Sequence, residues 1–274
     1  MQTQTIQRQY DEVIAPHYDN DPQSTTRDSL TRAVEQIRQQ EIFADGDAFF
    51  KVLDLGVGTG MFLEELLRLA PERIELFGLD LSARMIDCAS RKIPELTSAV
   101  DDAANFDAHF LGQSFDLIST HFITGFVPLS VLAPKIHSRL EEGGYWSLVG
   151  GTKSAWPLLQ RRANSWLLRK LCGGRRVSVD DMVCNPADRA EVERGLEANG
   201  FVVRAAETFQ PTLHFADFDE FMTFAYFGGW LTPFVESLNL HRLSPRMKWF
   251  LNRFYFPTED RHSIEIILAQ KIED

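Results

Sequence analysis

The chain has 274 residues, 44% of them hydrophobic and 24% charged, with a formal net charge of -11. That length suits one large α/β domain with a substantial insertion, and two full domains would be cramped. The acidic balance excludes general nucleic-acid binding, because a polyanion is repelled by most of such a surface, and three scattered cysteines without a C-x-x-C pair suggest neither a disulfide framework nor a zinc site.

In chain order, the opening MQTQTIQRQYDEV lacks an apolar signal core, and no segment reaches the roughly 18 apolar residues of a membrane span, so a soluble cytoplasmic protein is expected. Ile6, Tyr10 and Val13 then share one helical face, which Pro16 interrupts. The short apolar runs KVLDL (51–55), ELFGLDL (75–81), SFDLIST (114–120), YWSLVGG (145–151), FVVRAAE (201–207) and HSIEIILAQKI (262–272) read as strands. Helical spacing separates them. Phe62, Leu63, Leu66, Leu67 and Ala70 lie on one face of 61–70, and Val131, Leu132, Ile136 and Leu140 on one face of 130–140. A charged helix over 188–198 ends at Asn199-Gly200. This alternation predicts βα units and a parallel sheet, whose ligands bind at the carboxyl ends of the strands.

The first strand end carries Gly56, Gly58 and Gly60, which let the backbone turn sharply into a helix whose N-terminus offers unpaired N–H groups. A dinucleotide fingerprint, G-x-G-x-x-G, would need glycine at Met61. The next strand ends in Asp80, where a carboxylate can accept hydrogen bonds from ribose hydroxyls or cap the following helix. In VDDAANF (100–106) an acidic residue can accept an exocyclic amine of adenine.

On LDLGVGTG (53–60), GLDLSARMI (78–86), DAANF (102–106), SFDLIST (114–120) and LEEGGYWSLVG (140–150), the sequence resembles class I S-adenosylmethionine-dependent methyltransferases over about residues 45–150. The resemblance implies a three-layer, doubly wound α/β sheet of seven strands, mostly parallel with the last antiparallel, and S-adenosyl-L-methionine as cofactor. It places the Gly56–Gly60 loop against the methionine portion, Asp54 at the amino group, Asp80 at the ribose, Asp102 (or Asp101) with Ala103 at the adenine, and Leu81 and Met85 beside the ring. It implies that the end of SFDLIST lies near the transferring methyl, with Thr120 a cofactor contact and Phe122 and Phe126 on the substrate side. His121, at the same strand end, is the candidate base, or a structural residue. Tyr10 and Tyr18, each followed by aspartate, are lid contacts to the cofactor or simply packing.

Residues 213–256 hold thirteen of the chain's thirty-one aromatics, a density that suggests a cap with Phe224, Tyr226 and Trp230 facing an apolar or aromatic substrate. The same rings can instead form the cap's own core or a dimer contact. Between Gly143 and Val179 no acidic residue occurs, yet Lys153, Arg161, Arg162, Arg169, Lys170, Arg175 and Arg176 do. Such a segment, over 153–176, suits an acidic partner, a membrane surface or a solvated helix.

The expected organisation is a helical lid (1–44), a cofactor-binding core (45–210 and 258–274) with a basic helical insertion (152–184), and an aromatic-rich helical cap (211–257). The expected function is methyl transfer to oxygen, nitrogen or an electron-rich carbon of a small, largely apolar or aromatic molecule in specialised metabolism, by a monomer or homodimer without nucleic-acid or metal partners. The alternatives are methylation of an acyl group on an acidic carrier protein and non-catalytic, regulatory cofactor binding.

Overall fold

The computed structural model describes residues 3–43, 49–69, 73–163 and 183–272. Its centre is a seven-stranded sheet: β1 (Phe50–Leu55), β2 (Ile74–Asp80), β3 (Thr97–Val100), β4 (Phe115–His121), β5 (Leu140–Gly151), β6 (Phe201–Phe209) and a late strand across Ile264–Lys271. The spatial order is β3-β2-β1-β4-β5, then the late strand, then β6. β1 to β5 pair parallel, while the late strand runs antiparallel to both β5 and β6. A doubly wound α/β fold with one antiparallel strand results, as the sequence predicts. β1 sits between β2 and β4, at the point where the strand order reverses and a crevice opens beyond the strand ends.

Helices cover both faces because both faces are apolar. One carries α2 (Thr25–Gln39), α3 (Met61–Leu67) and α4 (Ala83–Lys92), joined to the sheet through Leu30, Ile37, Leu63, Leu66 and Ala89. The other carries α5 (Leu129–Arg139) and the helix Arg189–Glu197, through Leu132, Ile136, Val192 and Leu196. Ala70, expected on the face of α3, lies outside the described residues.

Two expected boundaries shift. Residues 1–44 are not one lid: α2 is a layer of the sandwich, with Ala33 against Val149, Ile264 and Ile266. Only α1 (Thr3–Gln9), the wide turn Tyr10–Ile14 and the short turn Tyr18–Asn20 remain to cover the crevice. At the other end, Thr258–Arg261 does not join the core sheet; it pairs antiparallel with Thr212–Phe215 as a separate two-stranded ribbon, so the insertion extends to Arg261. Backbone pairing, invisible to hydropathy, sets that limit.

Within the insertion most of the thirteen rings pack on one another. Phe215, Phe218, Phe221, Phe224 and Phe234 are buried in one cluster, to which Trp156 and Leu159 are added from outside it. Trp249 and Phe254 are exposed. Arg162, the last described basic residue of the 153–176 segment, is tied to this unit through Thr258 Oγ1 at 2.6 Å. Arg169, Lys170, Arg175 and Arg176 lie outside the described residues.

Candidate functional site

At the carboxyl end of β1 the chain turns through Gly56 (φ 77°) and Gly58 (φ 54°), backbone conformations that side chains rarely adopt. The two glycines answer different needs. A Cβ on Gly56 would stand 2.3 Å from Ile123 Cγ2, whereas one on Gly58 would meet nothing closer than Tyr18 Cε1 at 3.8 Å. Gly58 therefore leaves room toward the crevice, and Gly56 is required by packing. Gly60 likewise serves packing, its Cβ position lying 3.3 Å from Ala89 Cβ.

Asp80 ends β2 beside this loop. Its Oδ2 accepts the Gly58 N–H and its Oδ1 the Ser82 N–H, each at 2.8 Å. The cap of α4 is Ser82, whose hydroxyl oxygen accepts the Met85 N–H, so the cap alternative weighed for Asp80 belongs to its neighbour. Each carboxylate oxygen retains a lone pair for a further donor. Burial pushes the Asp80 carboxyl up from 3.8 to about 6, even against the lowering by these two N–H groups. Asp54, within β1, is also buried; its Oδ1 accepts the Ser119 hydroxyl at 2.7 Å, and desolvation raises it to about 7.

One cleft gathers much of what the sequence singled out. Gly56, Gly58, Asp80, Leu81 and Met85 line one wall; Asp102 and Ala103 line the next; His121, Phe122 and Phe126 close the third. Asp101 is turned to His109, whose Nε2 lies 2.8 Å from its carboxylate, so Asp102 is the residue of the pair that reaches the cleft. An adjoining recess reaches Asp54 past Gly58, Met61 and Phe62.

The N-terminal segment roofs the cleft. Tyr10 and Tyr18 line it, and burial near Asp80 raises both phenols. The aspartate after each tyrosine is a clasp. Asp11 accepts the Ser82 hydroxyl at 2.5 Å, and Asp19 accepts the Thr59 hydroxyl at 2.5 Å while pairing with Lys92 at 2.8 Å. In the sequence the two Tyr-Asp steps are visible, but nothing local assigns the aspartates a task.

Other expected residues sit elsewhere. Thr120 is buried and accepts the Trp146 indole N–H at 2.8 Å on the opposite side of β4 from His121. Phe224 stacks behind Trp230 with an interplanar angle of 4° and is fully buried. Tyr226 stacks on His241 and donates to Glu236, away from the cleft. Trp230 does face a second chamber, which Phe122 and Phe126 also line. His121 packs edge-on against Phe62 at 4.3 Å, with Nε2 3.0 Å from Ser147 Oγ, and burial lowers it from 6.5 to about 3. It is thus a neutral imidazole at any ordinary pH, and a weak base.

The residue that sequence reasoning missed is His262. It lies in the turn ahead of the late strand and reads there as strand; its partner Trp156 is more than a hundred positions earlier in the chain.

The acceptor set suits a ligand with hydroxyls and positive charge: two buried carboxyls held above their ordinary values by desolvation regain stability as anions when a cation or O–H donor arrives. Leu81, Met85 and Ala103 give the same cleft an apolar side.

Comparison with known proteins agrees. Residues 52–144 match the family model of a methyltransferase domain. The demethylmenaquinone methyltransferase of Thermotoga maritima is 40% identical over 72 residues, 26% of this chain and 30% of that protein. The dTDP-4-amino-2,3,4,6-tetradeoxy-D-glucose N,N-dimethyltransferase of Saccharopolyspora spinosa is 38% identical over 68 residues, a quarter of each chain (25% and 25%). The chain thus spans less than a third of the length of the curated relatives it matches. Among solved structures, the YcgJ protein of Bacillus subtilis superimposes with a TM-score of 0.56 at 18% identity, covering 88% of this chain and 99% of its own, a likeness of fold.

Proposed function

We propose that this chain, whose residues 52–144 belong to the methyltransferase-domain family, binds S-adenosylmethionine and transfers its methyl group to an oxygen or nitrogen of a small, largely apolar molecule. The observation that carries the reading is the convergence of the Gly58 backbone, Asp80, Asp102 and Met85 on one cleft at the carboxyl ends of β1 and β2. Gly58 holds Asp80 in place; Asp80 accepts the ribose hydroxyls; Leu81, Met85 and Ala103 enclose the adenine; Asp54 faces the amino group from the recess.

When bound, the cofactor supplies a methyl group already made electrophilic by its sulfonium. The protein's task is then to exclude water and to aim a nucleophile. Tyr10, Tyr18, Phe122 and Phe126 form the dry boundary between the cleft and the chamber beyond. His121, kept neutral by burial, adds no second positive charge there. An oxygen that has just accepted a methyl group holds its proton so weakly that even a weakly basic imidazole can take it.

Calorimetric titration with S-adenosylhomocysteine and, separately, with NADH tests the reading. One-to-one binding of the first and none of the second is expected; the reverse result would make the site a dinucleotide site.

A further inference from the structure

Beyond Phe122 and Phe126 a second chamber opens, sharing Tyr10, Tyr18 and those two rings with the cofactor cleft. Trp156 and Trp230 form its far wall, and Thr124, Asn185 and His262 bring polar atoms to it. No Asp, Glu, Lys or Arg lines it among the described residues.

His262 is the chamber's best-defined polar group. Its ring stacks on Trp156 at 4.7 Å and meets the edge of Trp230 at 5.0 Å, and Trp230 is braced from behind by Phe224. It is 4% exposed, and its Nδ1 is buried without a hydrogen-bond partner among the described residues. An unsatisfied buried nitrogen costs stability and calls for a reason. Burial also lowers this imidazole to about 3, so it is neutral and offers one donor and one acceptor.

The backbone around the ring is shaped to keep the space. Gly151 ends β5 directly against it: an added Cβ would stand 3.2 Å from His262 Cε1 and 3.6 Å from Asn185 Nδ2. Phe122 (φ 60°) and Trp156 (φ 61°) both hold left-handed backbone conformations, which are costly for bulky side chains and persist where the surroundings enforce them. Two strained aromatics, a glycine and a histidine with an unpartnered ring nitrogen thus line one void.

From this geometry, and resting on the methyltransferase reading, we infer that the chamber is the methyl-acceptor site, that its ligand is a neutral planar aromatic bearing a hydroxyl or amine, and that His262 is the group that hydrogen-bonds it. The ring faces alone would attract a cation, but a cation there would be repelled by the sulfonium with no carboxylate among the described lining residues to offset it, so a neutral ring is favoured. The neutral imidazole gives direction where the walls give only affinity.

The test measures binding of 2-naphthol, of 2-methoxynaphthalene and of choline by ligand-observed NMR with saturating S-adenosylhomocysteine present. Wild-type protein is expected to hold 2-naphthol about tenfold more tightly than its methyl ether, with choline weakest. His262→Phe is expected to bring naphthol and ether to parity, and His262→Asn to keep part of the difference. Gly151→Ala, which crowds the ring without removing it, is expected to weaken both aromatic probes and serves if His262→Phe does not fold. Discrimination that survives His262→Phe, choline binding tighter than 2-naphthol, or no naphthol binding at all would overturn the inference while cofactor affinity, read by calorimetry on the same samples, leaves the parent reading standing. Wild-type protein that binds no S-adenosylhomocysteine takes both down.

Discussion

The Asp80 carboxylate accepts the Gly58 backbone N–H at 2.8 Å. This bond adds to those that the Gly56 and Val57 N–H groups make to Leu79 O, so the glycine loop after β1 is tied to the end of β2 by a side chain that also faces the cleft. Asp80→Ala removes this staple along with the proposed ribose acceptor. Affinity for S-adenosylhomocysteine should fall by about 1 to 3 kcal/mol, the usual worth of hydrogen bonds to a charged group. Unchanged affinity by calorimetry would refute the ribose assignment.

The clasp residues give a second prediction. Asp11 and Asp19 hold the two tyrosines of the roof against Ser82 and Thr59. Asp11→Asn with Asp19→Asn should speed S-adenosylhomocysteine release by roughly tenfold and accelerate amide exchange over 3–20, with far less effect in β1 and β4. Exchange accelerated equally across the molecule, or release at the wild-type rate, would mean that the segment is not a separable roof.

Ionisation of the site makes ligand binding depend on pH. Asp54 (about 7) and Asp80 (about 6) lie above the ordinary 3.8, so the ligand-free folded protein binds protons more tightly than the unfolded chain in the interval between. Stability from these groups is present at low pH and is lost as pH rises through about 6 and 7. His121 and His262 act in the opposite sense: lowered from 6.5 to about 3, they withdraw stability as pH falls below 6.5. A ligand carrying an ammonium and ribose hydroxyls favours both carboxylates ionised, so its affinity should rise between about pH 5 and pH 8 and binding should release protons near neutrality. Calorimetry in buffers of different ionisation heat measures the release; equal heats in all buffers would show that neither carboxyl titrates on binding.

A fourth prediction concerns Thr120, expected from sequence at the cofactor and found bonded to Trp146. Thr120→Val leaves the buried indole N–H without its acceptor and should cost about 1 to 3 kcal/mol in denaturant unfolding. Cofactor affinity should not change. A loss of affinity larger than tenfold would return Thr120 to the site.

Thr120 also shows where sequence reading stops. Successive residues of a strand point to opposite faces, and here Thr120 takes the side of Trp146 while His121 takes that of Phe62. The positions of β1, β2, β4 and β5, the turn at Gly56–Gly60 and the start of α4 after Asp80 were legible because their signals are local: a strand, a turn, the start of a helix; β3 (Thr97–Val100), short and without a buried residue, was not. His262 was not, since its setting is made by Trp156, Trp230 and Gly151, which the fold draws together from three distant stretches. The aromatic density of 213–256 was visible, but its division into a buried cluster and the one ring, Trp230, that faces the chamber depends on packing.

A crystal structure with S-adenosylhomocysteine bound tests the account most directly. The account predicts the ribose on Asp80, the adenine between Leu81, Met85 and Ala103, and the sulfur facing the chamber behind Phe122 and Phe126. A ligand whose ribose lies away from Asp80, or whose sulfur faces away from that chamber, would contradict it.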